Sequence, residues 1–228
     1  MRTGSPRMAR VLLLTTPAAP GPAEETVAAI TKAGGVAVVV QGDLSEPGAV
    51  KSLFDSAEKA FGPVTILVNN AGVYETKPVE TADKAHFEKV FHANVLSVVL
   101  TVAEFARRFK GKSERVVNIS SGGARAALPG GSVYCASKAA VEGLTRGQAL
   151  ELGAKGITVN AAAPGTTETE MLKAGKPEDI KKHIISMTTL GRLGKPEGIA
   201  DAVAFVCSDD ARWITGTFID VSGGLRVG

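Results

Sequence analysis

The sequence predicts an α/β fold in which helices cover both faces of a doubly wound parallel sheet. Short apolar runs rich in Val, Ile and Leu alternate with helical stretches of about ten or more residues, the order typical of this class. Gly, Asn or Pro follows most of these runs, where a strand would turn into a helix. Ala, Val and Gly are abundant and only 5% of residues are aromatic, which suits helices packed closely on a parallel sheet.

The N-terminal third predicts three strands and two helices. Gly34 follows the first helix, and Pro47 lies in the first turn of the second. The rule for parallel crossovers favours a six-stranded sheet in which the second strand lies beside the first, at the edge. The predicted elements are a strand at 11–16, a helix at 23–32, a strand at 36–40, a helix at 45–61 and a strand at 64–68.

The rest of the chain continues the alternation. A long helical stretch carries Asn94 in its middle, and a polar segment at 166–176 has the composition of a surface loop. The predicted elements are a helix at 81–109, strands at 115–120 and 157–162, helices at 133–152, 177–187 and 196–208, and a strand at 217–221.

Composition favours one globular domain over 1–228, with 1–7 expected to be a disordered lead-in. The net charge of +3 does not indicate a nucleic-acid-binding protein. The three histidines and two cysteines are scattered, so no metal site and no disulfide framework are expected. No apolar run approaches the ~18 residues of a membrane span. The run at 11–14 is shorter than the ~7–15 apolar residues of a signal peptide, so a cytoplasmic protein is expected.

A tyrosine and a lysine four residues apart are candidate proton-transfer groups. In a helix, Tyr134 and Lys138 lie one turn apart on the same face. A nearby ammonium lowers the pKa of a phenol from about 10 and prepares it for acid–base chemistry. Ser121, thirteen residues before the tyrosine, could hold a carbonyl oxygen where charge develops. The spacing alone is also common on solvated helix faces.

Eight motifs in order give the chain a specific resemblance over roughly 36–225. It resembles the short-chain dehydrogenase/reductase family, closest to the 3-oxoacyl carrier-protein reductase branch, which implies a Rossmann-like fold. The motifs are Asp43-Leu44, ILVNNAG (66–72), Asn94, NISS (118–121), YCASK (134–138), ITVNAAAPG (157–165), GRLGKPEGIA (191–200) and WITGTFIDVSGG (213–224).

The resemblance implies a catalytic tetrad of Asn94, Ser121, Tyr134 and Lys138. Tyr134 would protonate the carbonyl oxygen as a hydride arrives, and Ser121 would hydrogen-bond that oxygen. Lys138 would lower the pKa of the tyrosine and bind the ribose hydroxyls of the nicotinamide half. Asn94 would anchor a water that joins Lys138 to a proton relay; the alternative is a polar residue that bends its helix.

The resemblance also implies a binding site for NADP or NAD. The segment after 165 would close over the substrate, and an ordinary flexible loop is the alternative reading. Residues implied to bind the cofactor, besides Tyr134 and Lys138, are Asp43, Leu44, Asn70, Ala71, Gly72, Pro164, Gly165, Thr167 and Thr169.

The N-terminal region departs from the family pattern. The family's first strand-to-helix turn reads T-G-x-x-x-G-x-G, whose glycines let backbone amides reach the pyrophosphate. The corresponding stretch here, TTPAAPGP at 15–22, has Thr16, Pro20 and Pro22 in place of those glycines. One strand–helix unit of about 25 residues is also missing. Asp43 therefore has two readings, as an adenine-side residue or as the acidic group that meets a ribose hydroxyl.

Three functions stay open. The complete tetrad favours hydride transfer between NAD(P)(H) and a small carbonyl or alcohol substrate, free or bound to a carrier protein. The altered turn leaves open a cofactor-independent lyase, dehydratase, isomerase or cyclase, or a non-catalytic subunit. Retention of Lys138 favours the first, because ribose binding is much of the role of that residue in the family. The resemblance also implies a homotetramer or homodimer.

Overall fold

The computed structural model describes residues 10–15, 21–111, 113–126, 129–169, 172 and 178–225. Three predicted regions lie outside the described residues: the lead-in at 1–7, the turn at 16–20, and residues 170, 171 and 173–176 of the polar segment. The doubly wound α/β class is confirmed, with six strands in the described part. The strands are β1 (Arg10–Thr15), β2 (Val36–Gln41), β3 (Ile66–Asn69), β4 (Arg115–Ile119), β5 (Thr158–Pro164) and β6 (Phe218–Val221).

The helices follow the sequence pattern closely. The predicted long helix begins at Lys84 rather than near Thr81, because the Asp83 side chain caps it by accepting from the His86 amide at 2.7 Å. The helices are α1 (Gly21–Lys32), α2 (Pro47–Phe61), α3 (Lys84–Phe91), α4 (Ser97–Arg107), α5 (Ser132–Leu152), α6 (Glu178–Met187) and α7 (Pro196–Cys207).

The strands form two parallel ladders rather than one sheet. β1 pairs with β2, with Leu12 opposite Val38, which confirms that the second strand lies beside the first. A second ladder has the order β3-β4-β5-β6, with Leu67 opposite Val116. Within the described residues no ladder joins β1 to β3. The predicted continuous six-stranded sheet is therefore interrupted between β1 and β3.

The core lies on both faces of the four-stranded ladder. On one face α2, α4 and α5 enclose a cluster that contains Phe54 and Phe105, whose ring centroids are 6.4 Å apart, and the fully buried Val116. On the other face, Val117 packs with Val206 of α7. Alternate residues of β4 thus enter opposite layers, as the period of a strand requires.

A π turn joins α3 and α4 into one helix, Lys84–Arg107. This helix is long and apolar enough to cross a membrane by length and composition, which the sequence reading did not anticipate. Core helices of soluble proteins pass the same test, and Val98, Val102 and Phe105 of this helix pack in the core. The π turn, His92–Leu96, carries Asn94 on its buried side.

Candidate active site

The carboxyl ends of β3, β4 and β5 lead into loops that approach one another. Gly122, after β4, lies so near Pro164 of β5 that an added Cβ would be 3.5 Å from the Pro164 carbonyl oxygen. A Cβ added to Gly72, after β3, would likewise lie close to the side chains of Asn94 and Lys138. Ligands bind at this edge in doubly wound sheets. The structure therefore brings the predicted tetrad to the expected edge.

Ser121 and Tyr134 meet around Gly123. A Cβ on Gly123 would lie 3.3 Å from Ser121 Oγ and 3.4 Å from Tyr134 Cε1. The Gly123 amide donates to Ser121 Oγ at 3.0 Å, which holds the hydroxyl at the start of the turn Gly122–Ala124. Since the oxygen accepts this bond, its own proton can be donated elsewhere. The serine hydroxyl and the edge of the Tyr134 ring therefore both lie close to Gly123, where a larger residue would require them to shift.

Burial controls the acidity of Tyr134. Burial raises the pKa of the phenol, and hydrogen bonding with Ser121 opposes that rise. The predicted lowering of this pKa is not found: the pKa is raised, because the loss of water contact outweighs the hydrogen bond with Ser121. Tyr74 packs edge-on against the Tyr134 ring, with centroids 4.8 Å apart. The phenol consequently keeps its proton at neutral pH and is available as a proton donor.

Lys138 lies one turn further along α5 and is only 6% exposed. Its Nζ donates to the Ile119 carbonyl oxygen at 2.9 Å, at the end of β4. Burial lowers the pKa of this lysine to about 8. The same Nζ would be 3.5 Å from a Cβ on Gly72. The Lys138 amine is therefore held between the ends of β3 and β4, with its pKa lowered to about 8.

Asn94 fixes the loop after β3. Its Oδ1 accepts from the Val73 amide at 2.8 Å, and its Nδ2 donates to the Val73 carbonyl at 3.0 Å and to Ser137 Oγ at 3.0 Å. Both amide protons of the side chain are thus used within the chain. A Cβ on Gly72 would come within 2.8 Å of Asn94 Oδ1. The predicted water relay stays a prediction, while the structural role of Asn94 is explicit.

The residues predicted at the nicotinamide end lie on the loop after β5. Gly165 packs so tightly that an added Cβ would be 2.8 Å from Ser222 Cα. Thr167 Oγ1 donates to the Gly165 carbonyl at 3.1 Å, and Thr167 pairs with Gly194 in an isolated bridge. Thr169 is exposed. Pro164 and Gly165 therefore lie beside Gly122, the residue that follows Ser121 of the predicted tetrad.

The residues predicted at the adenosine end are more open. Asp43 is exposed after β2 and accepts from the amide and hydroxyl of Ser45, at 2.9 and 2.7 Å. These bonds, the hydroxyl first, lower the pKa of the carboxyl. Leu44 instead packs against the core, so its side chain is not turned toward a ligand. Asn70 and Ala71 follow β3, exposed and half-buried respectively.

Sequence reasoning missed two side chains that support the site. Tyr74 forms the wall beside the Tyr134 ring, and Ser137 binds Asn94 while donating to the Tyr134 carbonyl oxygen at 2.7 Å. Ser137 stands inside the Tyr-x-x-x-Lys motif, which was a usable signal. Tyr74 had only its nearness to Gly72 in sequence. In the described part of the chain no cluster of metal-ligating side chains occurs.

Comparisons with known proteins identify the family. A family model described as enoyl-(acyl carrier protein) reductase matches residues 9–226. A short-chain type dehydrogenase/reductase of Picea abies is 41% identical over 192 residues, which cover 82% of this chain and 70% of that protein. The chain belongs to the short-chain dehydrogenase/reductase family. It is therefore an oxidoreductase of the NAD(P)-dependent type.

Further relatives and solved structures share sequence and fold with this chain. The NADPH-dependent aldehyde reductase-like protein of Arabidopsis thaliana chloroplasts is 40% identical over 199 residues, 86% of this chain and 74% of that protein. A double mutant of a Serratia marcescens short-chain dehydrogenase/reductase superposes with a TM-score of 0.85 at 35% identity, covering 93% of this chain and 86% of that one. A metagenomic blue fluorescent protein in complex with NADPH gives a TM-score of 0.87 at 30% identity, covering 95% and 87%.

The site of this short-chain dehydrogenase/reductase fits one end of an NAD(P) molecule. The Lys138 ammonium has three donors, of which Ile119 takes one, and Gly72 keeps the space beside it clear. These features suit the ribose next to the nicotinamide. The turn expected to meet the pyrophosphate, TTPAAPGP at 15–22, lacks the family's glycines, and α1 starts with Gly21 and Pro22.

Proposed function

We propose that this short-chain dehydrogenase/reductase transfers hydride between NADP(H) and a small carbonyl or alcohol substrate. The observation that carries the proposal is the meeting of Ser121 Oγ and the Tyr134 ring around Gly123. The preference for NADP over NAD is supported by the Arabidopsis relative named as NADPH-dependent and by the metagenomic protein solved with NADPH.

The chain's own residues would divide the proton chemistry. When bound, the nicotinamide supplies the hydride that adds to the carbonyl carbon. Tyr134 gives its phenol proton to the carbonyl oxygen, so that the C=O bond becomes an alcohol. Ser121 donates a hydrogen bond to that oxygen as charge develops. Lys138, held by the Ile119 carbonyl, would contact the ribose hydroxyls beside the nicotinamide, and alcohol oxidation runs through the same steps in reverse.

The proposal is tested by binding and turnover in separate measurements. NADPH and NADH are titrated into the purified protein by calorimetry, and carbonyl reduction is followed through NADPH absorbance. Tyr134→Phe should lower kcat by about 10²–10⁴-fold, the usual contribution of a positioned proton donor, and leave NADPH affinity unchanged. Full turnover in the Tyr134→Phe protein would remove Tyr134 from this role.

A cofactor-independent reaction is the second candidate. The sequence TTPAAPGP at 15–22 favours it, because Thr16, Pro20 and Pro22 replace the family's glycines and NADP(H) would lose backbone contacts to its phosphates. A lyase, dehydratase, isomerase or cyclase could use the same Ser121–Tyr134 pair for proton transfer. Absence of NADPH and NADH binding at high micromolar concentration, with a nucleotide-free activity that Tyr134→Phe abolishes, would select this candidate over hydride transfer.

Exposed apolar side chains support the predicted homo-oligomer. Trp213 is 96% exposed and Leu150, on α5, is 85% exposed. Large apolar groups in contact with water commonly mark protein interfaces. Light scattering should give a dimer or tetramer, and Trp213→Glu should shift it toward smaller species. A wild-type monomer at working concentration would contradict the proposal.

A further inference from the structure

The edge of β3 that faces away from β4 carries unpaired backbone groups. The Arg115 amide donates to the Thr65 carbonyl at 2.9 Å, so Thr65 points its carbonyl toward β4. Because successive residues of a parallel strand point their backbone groups to alternate sides, the amides of Ile66 and Val68 point away from β4. No strand in the described part of the chain pairs with that edge. Such an edge is a template for another strand.

One face of β3 also lacks the helix that covers its neighbour. Val68 stands opposite Val117 in the ladder, so the two side chains share a face. Val117 is fully buried under α7, whereas Val68 is 40% exposed and Ile66, on the same face, is 47% exposed. The cover that α7 provides therefore stops at β4. An occupant of this edge must bring a helix as well as a strand.

The helices on the opposite face fix the room available. α2 packs on β1 and on α4, and α4 packs on β3, so β1 and β3 lie under adjacent helices. Packed helix axes are about 8–10 Å apart and paired strands about 4.8 Å apart. β1 and β3 are consequently about two strand spacings apart. That leaves room for one strand between them.

We propose that the gap between β1 and β3 is a docking site for a strand–turn–helix segment of a partner polypeptide. Its strand is apolar and runs parallel to β1 and β3, and its helix covers Ile66 and Val68. The partner's strand must be free on both edges to pair with both neighbours. A second copy of this chain does not meet that condition, because its β3 is already paired with β4 and its β1 with β2. The docking joins the two ladders into one sheet.

The test uses the full chain and a synthetic peptide. The peptide carries a strand of about six Val and Ile residues, a glycine turn and an Ala-, Leu- and Lys-rich helix of about 14 residues. A peptide of the same composition in scrambled order is the control. Binding is measured by calorimetry, and amide hydrogen exchange is followed at each residue. Val68→Asp places a charge on the proposed surface. Val79→Asp is the matched control, because Val79 is 75% exposed in the short 3-10 helix Val79–Thr81, outside β3.

We expect 1:1 binding of the ordered peptide, with exchange at the Ile66 and Val68 amides slowed at least about tenfold. The scrambled peptide should not bind, Val68→Asp should abolish binding, and Val79→Asp should retain it. The proposal is overturned if the ordered peptide does not bind at high micromolar concentration, or if it protects other amides instead. It is also overturned if these amides are already protected in the protein alone and Val68→Asp converts a dimer to a monomer, which would make the edge a contact between copies.

Discussion

Replacing Lys138 by methionine tests how much burial of this charge destabilises the folded protein. Burial lowers the pKa of Lys138 from its ordinary 10.5 to about 8. At about 1.4 kcal/mol for each pH unit, keeping the side chain charged in the fold costs roughly 3 kcal/mol. Methionine has a similar length and no charge, but it leaves the Ile119 carbonyl without its donor, which costs about 1–3 kcal/mol. At pH 7 we expect Lys138→Met to be between neutral and about 2 kcal/mol more stable.

The pH dependence separates the charge from the lost hydrogen bond. Below about pH 8 the lysine is protonated in both the folded and the unfolded chain, and the cost of burying the charge is fully present. Between about pH 8 and 10.5 the unfolded chain holds the proton that the folded chain has released. The free energy of unfolding therefore rises with pH in this window, by up to roughly 3 kcal/mol from this one group.

Urea unfolding followed by circular dichroism at several pH values between 7 and 10 measures this rise. Other groups also titrate there, so the quantity of interest is the difference between wild type and Lys138→Met. That difference should change by about 2–3 kcal/mol in favour of the wild type as pH increases. Lys155→Met is the matched control, because Lys155 also donates to a backbone carbonyl but is exposed. Parallel curves for wild type and Lys138→Met would refute the assigned pKa.

Three glycine substitutions test the packing of the site, each by its urea midpoint. Gly72→Ala should cost about 1–3 kcal/mol and reduce activity, because its Cβ would lie 2.8 Å from Oδ1 of Asn94, whose side chain is held by three hydrogen bonds. Gly165→Ala should cost at least as much, since its Cβ would meet Ser222 backbone atoms at 2.8 and 2.9 Å. Gly147→Ala, with nothing within 4 Å, should instead stabilise α5 by about 0.5–1 kcal/mol. Equal effects of all three would show that these contacts do not set the cost.

The sequence was sufficient for the elements and for where the four predicted tetrad residues lie; their catalytic roles stay a prediction. The apolar runs and their glycine and proline ends predicted all six strands, because strand period and turn chemistry are local properties. The order of the motifs placed Asn94, Ser121, Tyr134 and Lys138 at one edge, and the structure brings them there. The pKa of Tyr134 was predicted in the wrong direction. Burial depends on the tertiary structure, and a four-residue spacing does not show how much water the surrounding loops exclude from Tyr134.

The position of β1 relative to β3 could not be predicted from the local sequence pattern either. A run such as VLLL predicts a strand but does not say which strand lies on its other side. The short α1 connection correctly implied that β1 and β2 are neighbours. It carried no information on β3, because that contact depends on what fills the space between the two ladders. The exposure of Ile66 and Val68 shows the consequence in three dimensions.

The break in the sheet also divides the chemistry of the site. Ser121, Tyr134 and Lys138 depend on β4, a strand of the four-stranded ladder, and on α5, which packs on β4 and β5. Loss of the phosphate turn should therefore weaken nucleotide binding and raise the KM for NADPH, without altering proton transfer from Tyr134. A segment docked between β1 and β3 would place its own turn at the carboxyl edge of the sheet, where a helix N-terminus binds phosphate. If that turn carries glycine, NADPH affinity should rise on docking while the effect of Tyr134→Phe on kcat stays the same.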